Sequence, residues 1–182
     1  MGMFDNVRIH KDFFDHSPYS LSLKEKFGES IDKFGYICFQ TKSSECLLDT
    51  YLVDGSGETT KEEMWDDEED SNKKDPEDID LTAVWTIYPE RSVIDDYFAV
   101  FIKGKLVLLH MIDTVKPVPE PQILHNTRCA NRQCSEKDCV VLFFGECFCG
   151  ICGTEHILDT VGHTINAALL IDHIKSLTVI KI

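Results

Sequence analysis

No apolar run in this sequence of 182 residues approaches the roughly 20 needed to span a bilayer, so a transmembrane helix is not expected. The start, Met1-Gly2-Met3-Phe4-Asp5, lacks the basic region and apolar stretch of a secretory signal, which makes a reduced cytoplasm the expected compartment. Myristoylation at Gly2 would call for Ser or Thr where Asn6 stands. Positive charge is scarce: 18 Lys and Arg face 32 Asp and Glu, a net charge of −14. Affinity for DNA or RNA comes largely from cations that neutralise phosphates, so a nucleic-acid partner is not expected on charge. The sequence contains no phosphate loop, no nucleophile elbow and no internal repeat. Its seven histidines are scattered.

What the chain does have is cysteine. Six of the eight, Cys129, Cys134, Cys139, Cys147, Cys149 and Cys152, fall between Arg128 and His156. Zinc takes four soft or borderline donors in a tetrahedron, and two tight turns that each carry two thiolates supply them with little strain. Cys149-Gly150-Ile151-Cys152-Gly153 has the form of such a turn, and Cys129 to Cys134 offers a looser partner. Between them Val140 to Phe144 reads as an apolar strand, with Gly145-Glu146 as the returning turn. The expected metal ligands are therefore Cys129, Cys134, Cys149 and Cys152, in a zinc-ribbon-like module. Cys139 is an alternative to Cys129, since Cys134 to Cys139 repeats the same spacing, and His156 offers a nitrogen ligand at a less favourable one. Cys147 is expected on the other face of its strand from Cys149 and off the metal. A disulfide framework is the competing reading, but disulfides belong mainly to oxidising compartments. A catalytic zinc keeps an open position and a nearby carboxylate base; the surplus of thiolates here points to a structural ion.

The negative charge is concentrated. From Glu58 to Asp80 twelve carboxylates stand against Lys61, Lys73 and Lys74. Like-charge blocks resist folding, so one reading is a solvated loop between strands. The other is a recognition surface for a basic partner, or a mimic of a phosphate backbone, because concentrated charge steers association. Trp65, followed by Asp66, Asp67, Glu68 and Glu69, favours partner binding, since aromatic anchors within charged rims are common at interfaces. The consecutive acids of Asp66 to Asp70 project in several directions, whereas a cation site needs converging oxygens.

Alternating apolar residues predict strands at Phe4 to Ile9, Tyr36 to Thr41, Leu47 to Val53, Leu81 to Tyr88 and Tyr97 to Ile102. A tight turn at Lys103-Gly104-Lys105 leads into Leu106 to Ile112, the clearest hairpin in the chain. Residues 11–34 are polar and irregular, with a short helix expected near Leu23 to Phe27. Prolines at 117, 119 and 121 mark an extended boundary. The expected organisation is a β domain over 1–115, carrying the acidic loop 58–80, and a zinc-ribbon-like module over 122–182. Apolar residues at Ile165, Leu169, Leu170, Ile174 and Leu177 predict an amphipathic helix capped by Thr164, followed by a last strand at Thr178 to Ile182. The fold class is α+β and mostly β: an antiparallel sheet or sandwich, then the zinc module and a C-terminal helix.

Catalysis is not expected. A cysteine nucleophile needs a base within hydrogen-bond reach, and only Cys38 or Cys46 near His10 or His16 offers such a pair, with no support from spacing.

Met3-Phe4-Asp5, Phe39-Gln40-Thr41-Lys42-Ser43 and Cys46-Leu47-Leu48-Asp49-Thr50-Tyr51 together resemble a family of small uncharacterised bacteriophage proteins. Members also carry an acidic, tryptophan-containing stretch and a hairpin like Tyr97 to Leu109. The likeness covers residues 3–112 and implies a phage origin, a compact β fold and residence in the host-cell cytoplasm; it implies no activity. The insertion between Asn6 and Phe39 and the module after Pro121 depart from it. The expected function is that of a non-enzymatic accessory protein that binds a host protein, in host takeover or anti-defence. The alternative is a nucleic-acid-linked role, through the zinc module or by acidic DNA mimicry.

Overall fold

The computed structural model describes residues 4–16, 27, 30–44, 48–62, 77–90, 95–113, 115–116, 118–134, 136–158 and 164–166. The chain divides into two compact units, Met1–Val118 and Pro119–Ile182, and the division falls within the proline-bearing segment. The fold is mostly β. Among the described residues no helix is long and apolar enough to cross a membrane.

The first unit is built on β1 (Asp5–His10), β2 (Tyr36–Thr41), β3 (Thr50–Val53), β4 (Thr59–Glu62), β5 (Glu77–Asp78), β6 (Ala83–Pro89), β7 (Tyr97–Ile102) and β8 (Lys105–Met111). A single helical turn, α1 (Phe13–His16), follows β1. The eight strands form one sheet in the order β5-β4-β3-β1-β2-β6-β7-β8. Strand side chains alternate between faces, and here one face supplies the core: Val7 and Ile9, Ile37 and Phe39, Tyr51 and Val53, Trp85 and Ile87 are all buried. Aromatic rings fill it. Phe27 lies 5.5 Å from Phe39 and 5.8 Å from Tyr97, and Trp85 sits between Tyr51 at 4.9 Å and Phe101 at 5.0 Å. Edge-on and tilted pairs of this kind add about 0.5–1.5 kcal/mol each beyond area burial.

Among the described strands antiparallel pairing dominates, with one exception. β1 runs parallel to β3, Val7 opposite Tyr51 and Ile9 opposite Val53. The chain leaves β2 on one side of β1 and returns as β3 on the other. The sheet also curls back on itself. Glu58, just before β4, bridges to Lys105 at the start of β8, the Thr59 N–H donates to the Gly104 carbonyl at 2.7 Å, and the Leu106 N–H to that of Gly57 at 2.8 Å. Gly104 makes the approach possible. It sits at φ +75°, and a Cβ there would lie 2.0 Å from the Ile79 carbonyl oxygen. With Lys103 at φ 50°, it forms the two-residue turn with positive φ at both positions that matches strand twist.

Asp5, Thr41, Ser43, Ser44 and Asp49 meet at one corner of this sheet. Asp5, fully buried, accepts the Ser44 hydroxyl and, at 3.0 Å, the Asp49 N–H. The Thr41 hydroxyl donates to the Thr86 carbonyl at 2.9 Å and accepts the Ser43 N–H at 3.0 Å. Lys61 pairs with Asp49 at 2.8 Å. These residues fasten the connection between β2 and β3, a structural task.

The second unit holds β9 (Gln122–Ile123), β10 (Val140–Phe143), β11 (Glu146–Cys149), β12 (Glu155–Leu158) and β13 (Thr164–Asn166), an antiparallel sheet in the order β13-β12-β11-β10-β9. Its β10–β11 turn is Phe144-Gly145, both at positive φ, 51° and 81°, because Phe143 already pairs with Glu146. The expected turn at Gly145-Glu146 is thus one residue late.

Two other expectations are corrected. The acidic segment 58–80 is not one loop: β4 pairs with β3 and β5 with β4, so both its ends are strands of the sheet. The predicted C-terminal helix does not begin at Ile165, because β13 occupies its first turn, with Ile165 opposite Ile157 and Thr164 opposite Leu158. Backbone groups committed to a neighbouring strand are not free for a helix, and β-branched isoleucines suit the pleat. Thr164 is therefore a strand residue, not a cap. Residues 167–182, with the rest of that helix and the last strand, lie outside the described residues.

Candidate metal centre

Two turns of the second unit come together, one at Cys129 to Cys134 and one following β11. In the first, the Cys129 N–H donates to the Glu136 carbonyl at 2.8 Å and the Cys134 N–H to that of Asn131 at 3.0 Å. The Asn131 side chain accepts the Gln133 N–H at 3.0 Å and tightens the bend. In the second, β11 ends at Cys149, whose carbonyl accepts the Gly153 N–H at 2.8 Å, while its own N–H donates to the Thr154 carbonyl at 2.9 Å. Gly153, at φ +70° with open space around it, lets the chain swing back into β12.

The result is a group of four thiols, Cys129, Cys134, Cys149 and Cys152, whose Sγ atoms all lie within 4.8 Å of one another. Cys129 and Cys152 are 3.6 Å apart, and Cys134 and Cys149 3.8 Å. A tetrahedron of sulfurs about 2.3 Å from a central ion has edges of about 3.8 Å, so the group has the size of a metal-thiolate site. A disulfide needs sulfurs about 2.05 Å apart, and Cys38, Cys129, Cys134, Cys139, Cys147, Cys149 and Cys152 all carry free thiols.

Hydrogen bonds aim at these sulfurs. The Asn131 N–H donates to Cys129 Sγ at 3.4 Å and the Cys152 N–H to Cys149 Sγ at 3.5 Å. The Thr154 hydroxyl lies 3.1 Å from Cys152 Sγ, and the Asn131 amide reaches Thr154 Oγ1 at 3.2 Å. Sequence reasoning missed Asn131 and Thr154. The available signal was position, since each stands two residues after a ligand cysteine.

Burial pushes the Cys129 and Cys134 thiols up, with neighbouring sulfurs adding to the effect. At the exposed Cys152 burial also opposes ionisation, but hydrogen bonds from the Thr154 hydroxyl and backbone and from the Cys149 and Cys129 thiols outweigh it, drawing the thiol down to about 6. Crowding and burial thus favour the protonated form at Cys129 and Cys134 and hydrogen bonding the ionised form at Cys152. A bound cation would deprotonate such ligands outright, so metal uptake here would release protons.

Cys139 and His156 flank the group. Cys139 is fully buried, with its Sγ 3.5 Å from that of Cys149; burial and that neighbour push its thiol up to about 12. His156 is buried, its Nε2 3.5 Å from Cys129 Sγ. Cys147 and Cys149 share the buried face of β11, as residues two apart on a strand must, so the expected opposite facing is wrong. Cys147 lies opposite His156 on β12, one step along the strand from the four sulfurs.

Among the described residues, the remaining catalytic candidates are not gathered into a site. Cys38 lies opposite Arg8, and His10 opposite Tyr36, so Cys38 and His10 do not face each other across the strands. Burial pushes the Cys38 thiol up, the reverse of what a nucleophile needs. Trp65, Asp66, Asp67, Glu68 and Glu69, with Cys46 and His173, lie outside the described residues. Comparison with protein-family models, curated proteins and solved structures finds no match for the chain.

Proposed function

We propose that the protein is a non-enzymatic interaction protein whose C-terminal unit is folded around a zinc ion held by Cys129, Cys134, Cys149 and Cys152. The observation that carries this reading is a full set of four sulfur donors at tetrahedral spacing. Thiolates select soft or borderline metals, and four of them leave no open position for a water or a substrate. The ion's task is then to supply folding energy to a unit with a small core.

The partner fits a basic surface on a host protein, with the acidic segment 58–80 as the recognition element and Trp65 as its anchor, in keeping with a phage accessory role. Support comes from the net charge of −14 and from the resemblance over residues 3–112. Around the cysteines, Arg128, Arg132 and Lys137 are offset by Glu136, Asp138, Glu146 and Glu155, and four thiolates on a divalent ion leave two further negative charges. That balance disfavours phosphate binding.

The test is a pull-down from host lysate with and without nuclease, followed by association rates. A stoichiometric protein partner that survives nuclease is expected. Replacement of Asp66 to Asp70 by Ser and Gly should slow association while the fold persists, and added salt should slow the wild type, because exposed charges are screened over about 8–10 Å at physiological ionic strength. Loss of all partners on digestion would favour the nucleic-acid-linked role instead.

A further inference from the structure

We propose that Cys139 is a reserve ligand of the same centre, able to take the place of Cys134. This rests on the four-thiolate reading above. Two sulfurs flank Cys149 at near-equal range, Cys134 at 3.8 Å and Cys139 at 3.5 Å. Only Cys134 belongs to the group of four. It sits half-exposed at the end of an irregular turn, whereas Cys139 is wholly buried beside the start of β10.

Cys139 is also tied to the turn it would serve. Its carbonyl accepts the Gly150 N–H at 2.7 Å, which links its backbone to the Cys149–Cys152 turn. Its S–H lies 3.3 Å from the Glu136 carbonyl oxygen, the carbonyl that also accepts the Cys129 N–H. Its Sγ thus sits, in one rotamer, between a ligand sulfur and a carbonyl that holds its proton.

The exchange balances. The metal–sulfur bond to Cys134 breaks and one to Cys139 forms; the proton leaves Cys139 and is taken up, through water, by the released Cys134 thiolate. The charge of the centre is unchanged. A modification of the accessible Cys134 then leaves the ion in place, held by three original ligands and a sulfur that solvent does not reach.

Cobalt(II) is the probe, because its sulfur-to-metal charge-transfer intensity counts thiolate ligands. Wild type and Cys139→Ser should both show a four-sulfur spectrum. Cys134→Ser should keep one bound cobalt and the four-sulfur intensity, and Cys134→Ser with Cys139→Ser should drop to three sulfurs and bind at least about tenfold more weakly. Cys134→Asp, which offers an oxygen ligand and so folds with the metal either way, gives a second reading: four sulfurs if Cys139 moves in, three and an oxygen if it does not. Three sulfurs in either single Cys134 variant would overturn the inference while the four-thiolate reading stands. A wild-type protein without the four-sulfur spectrum overturns both.

Discussion

The sulfur atoms of Cys129 and Cys152 lie 3.6 Å apart although 23 residues separate them in the chain. Neither turn gathers four donors alone. The β10–β11 hairpin brings the turns together, with Val140 opposite Cys149 and Phe143 opposite Glu146. A metal held at this junction would tie together turns far apart in the sequence, so its binding energy would count toward folding.

Replacing a ligand should therefore cost more than replacing a cysteine elsewhere. On the four-thiolate reading proposed above, Cys149→Ser removes one of four bonds to an ion worth about 10–16 kcal/mol in small zinc-bound peptides, and should unfold the C-terminal unit well below the wild-type melting temperature. Cys38→Ser alters a half-buried position beside Arg8 on β2 and should change stability by less than about 1 kcal/mol. Thermal melts of the two variants, followed by circular dichroism, decide the matter. Equal melting temperatures would contradict the assignment.

The closure of the first sheet makes an independent prediction. Gly104→Ala combines positive φ with a Cβ driven into the Ile79 carbonyl; something must shift, and the cost should exceed about 2 kcal/mol. Gly145→Ala has the same sign of φ but nothing within 4 Å, so only the left-handed penalty of about 1–2 kcal/mol remains. Urea unfolding of both variants should rank them in that order, with the two losses in different units.

Acid should expose the contribution of Asp32. Burial opposes its ionisation, but the N–H groups of Tyr36 and Phe34, at 2.9 and 2.8 Å, and the Arg8 guanidinium outweigh it and hold the carboxyl below its ordinary range. A depressed folded-state value means stability that is fully present above the unfolded value of about 3.9 and is lost as pH falls toward the folded one. Wild type should lose stability across that window. Asp32→Ala should begin less stable at neutral pH, by about 1–2 kcal/mol, and show a shallower acid limb in denaturant midpoints. Parallel acid limbs would contradict the role assigned to Asp32.

Much of this arrangement was legible locally. β7 and the turn at Lys103-Gly104 follow from apolar runs and a glycine at positive φ, and the cysteine spacing names the four sulfurs that converge. What was not legible depends on distant partners. Nothing in Thr50 to Val53 tells a parallel neighbour from an antiparallel one, because period-two alternation is the same for both. The curl that joins Glu58 to Lys105 sets Gly57 against Leu106 and Gly104 against Ile79 and Thr59, and neither glycine names its partner. At Ile165 the apolar spacing suits a helix, yet the strand partner Ile157 prevails at β13. Asn131 and Thr154 are not legible in the sequence, because an Asn or Thr two residues after a cysteine reaches a sulfur only once the turn has folded.

The most direct test of the account is the metal content of protein purified without added zinc. About one equivalent of zinc per chain is expected, lost on replacement of Cys129, Cys149 or Cys152. Protein that contains no metal, with its cysteines recovered as disulfides, would contradict it.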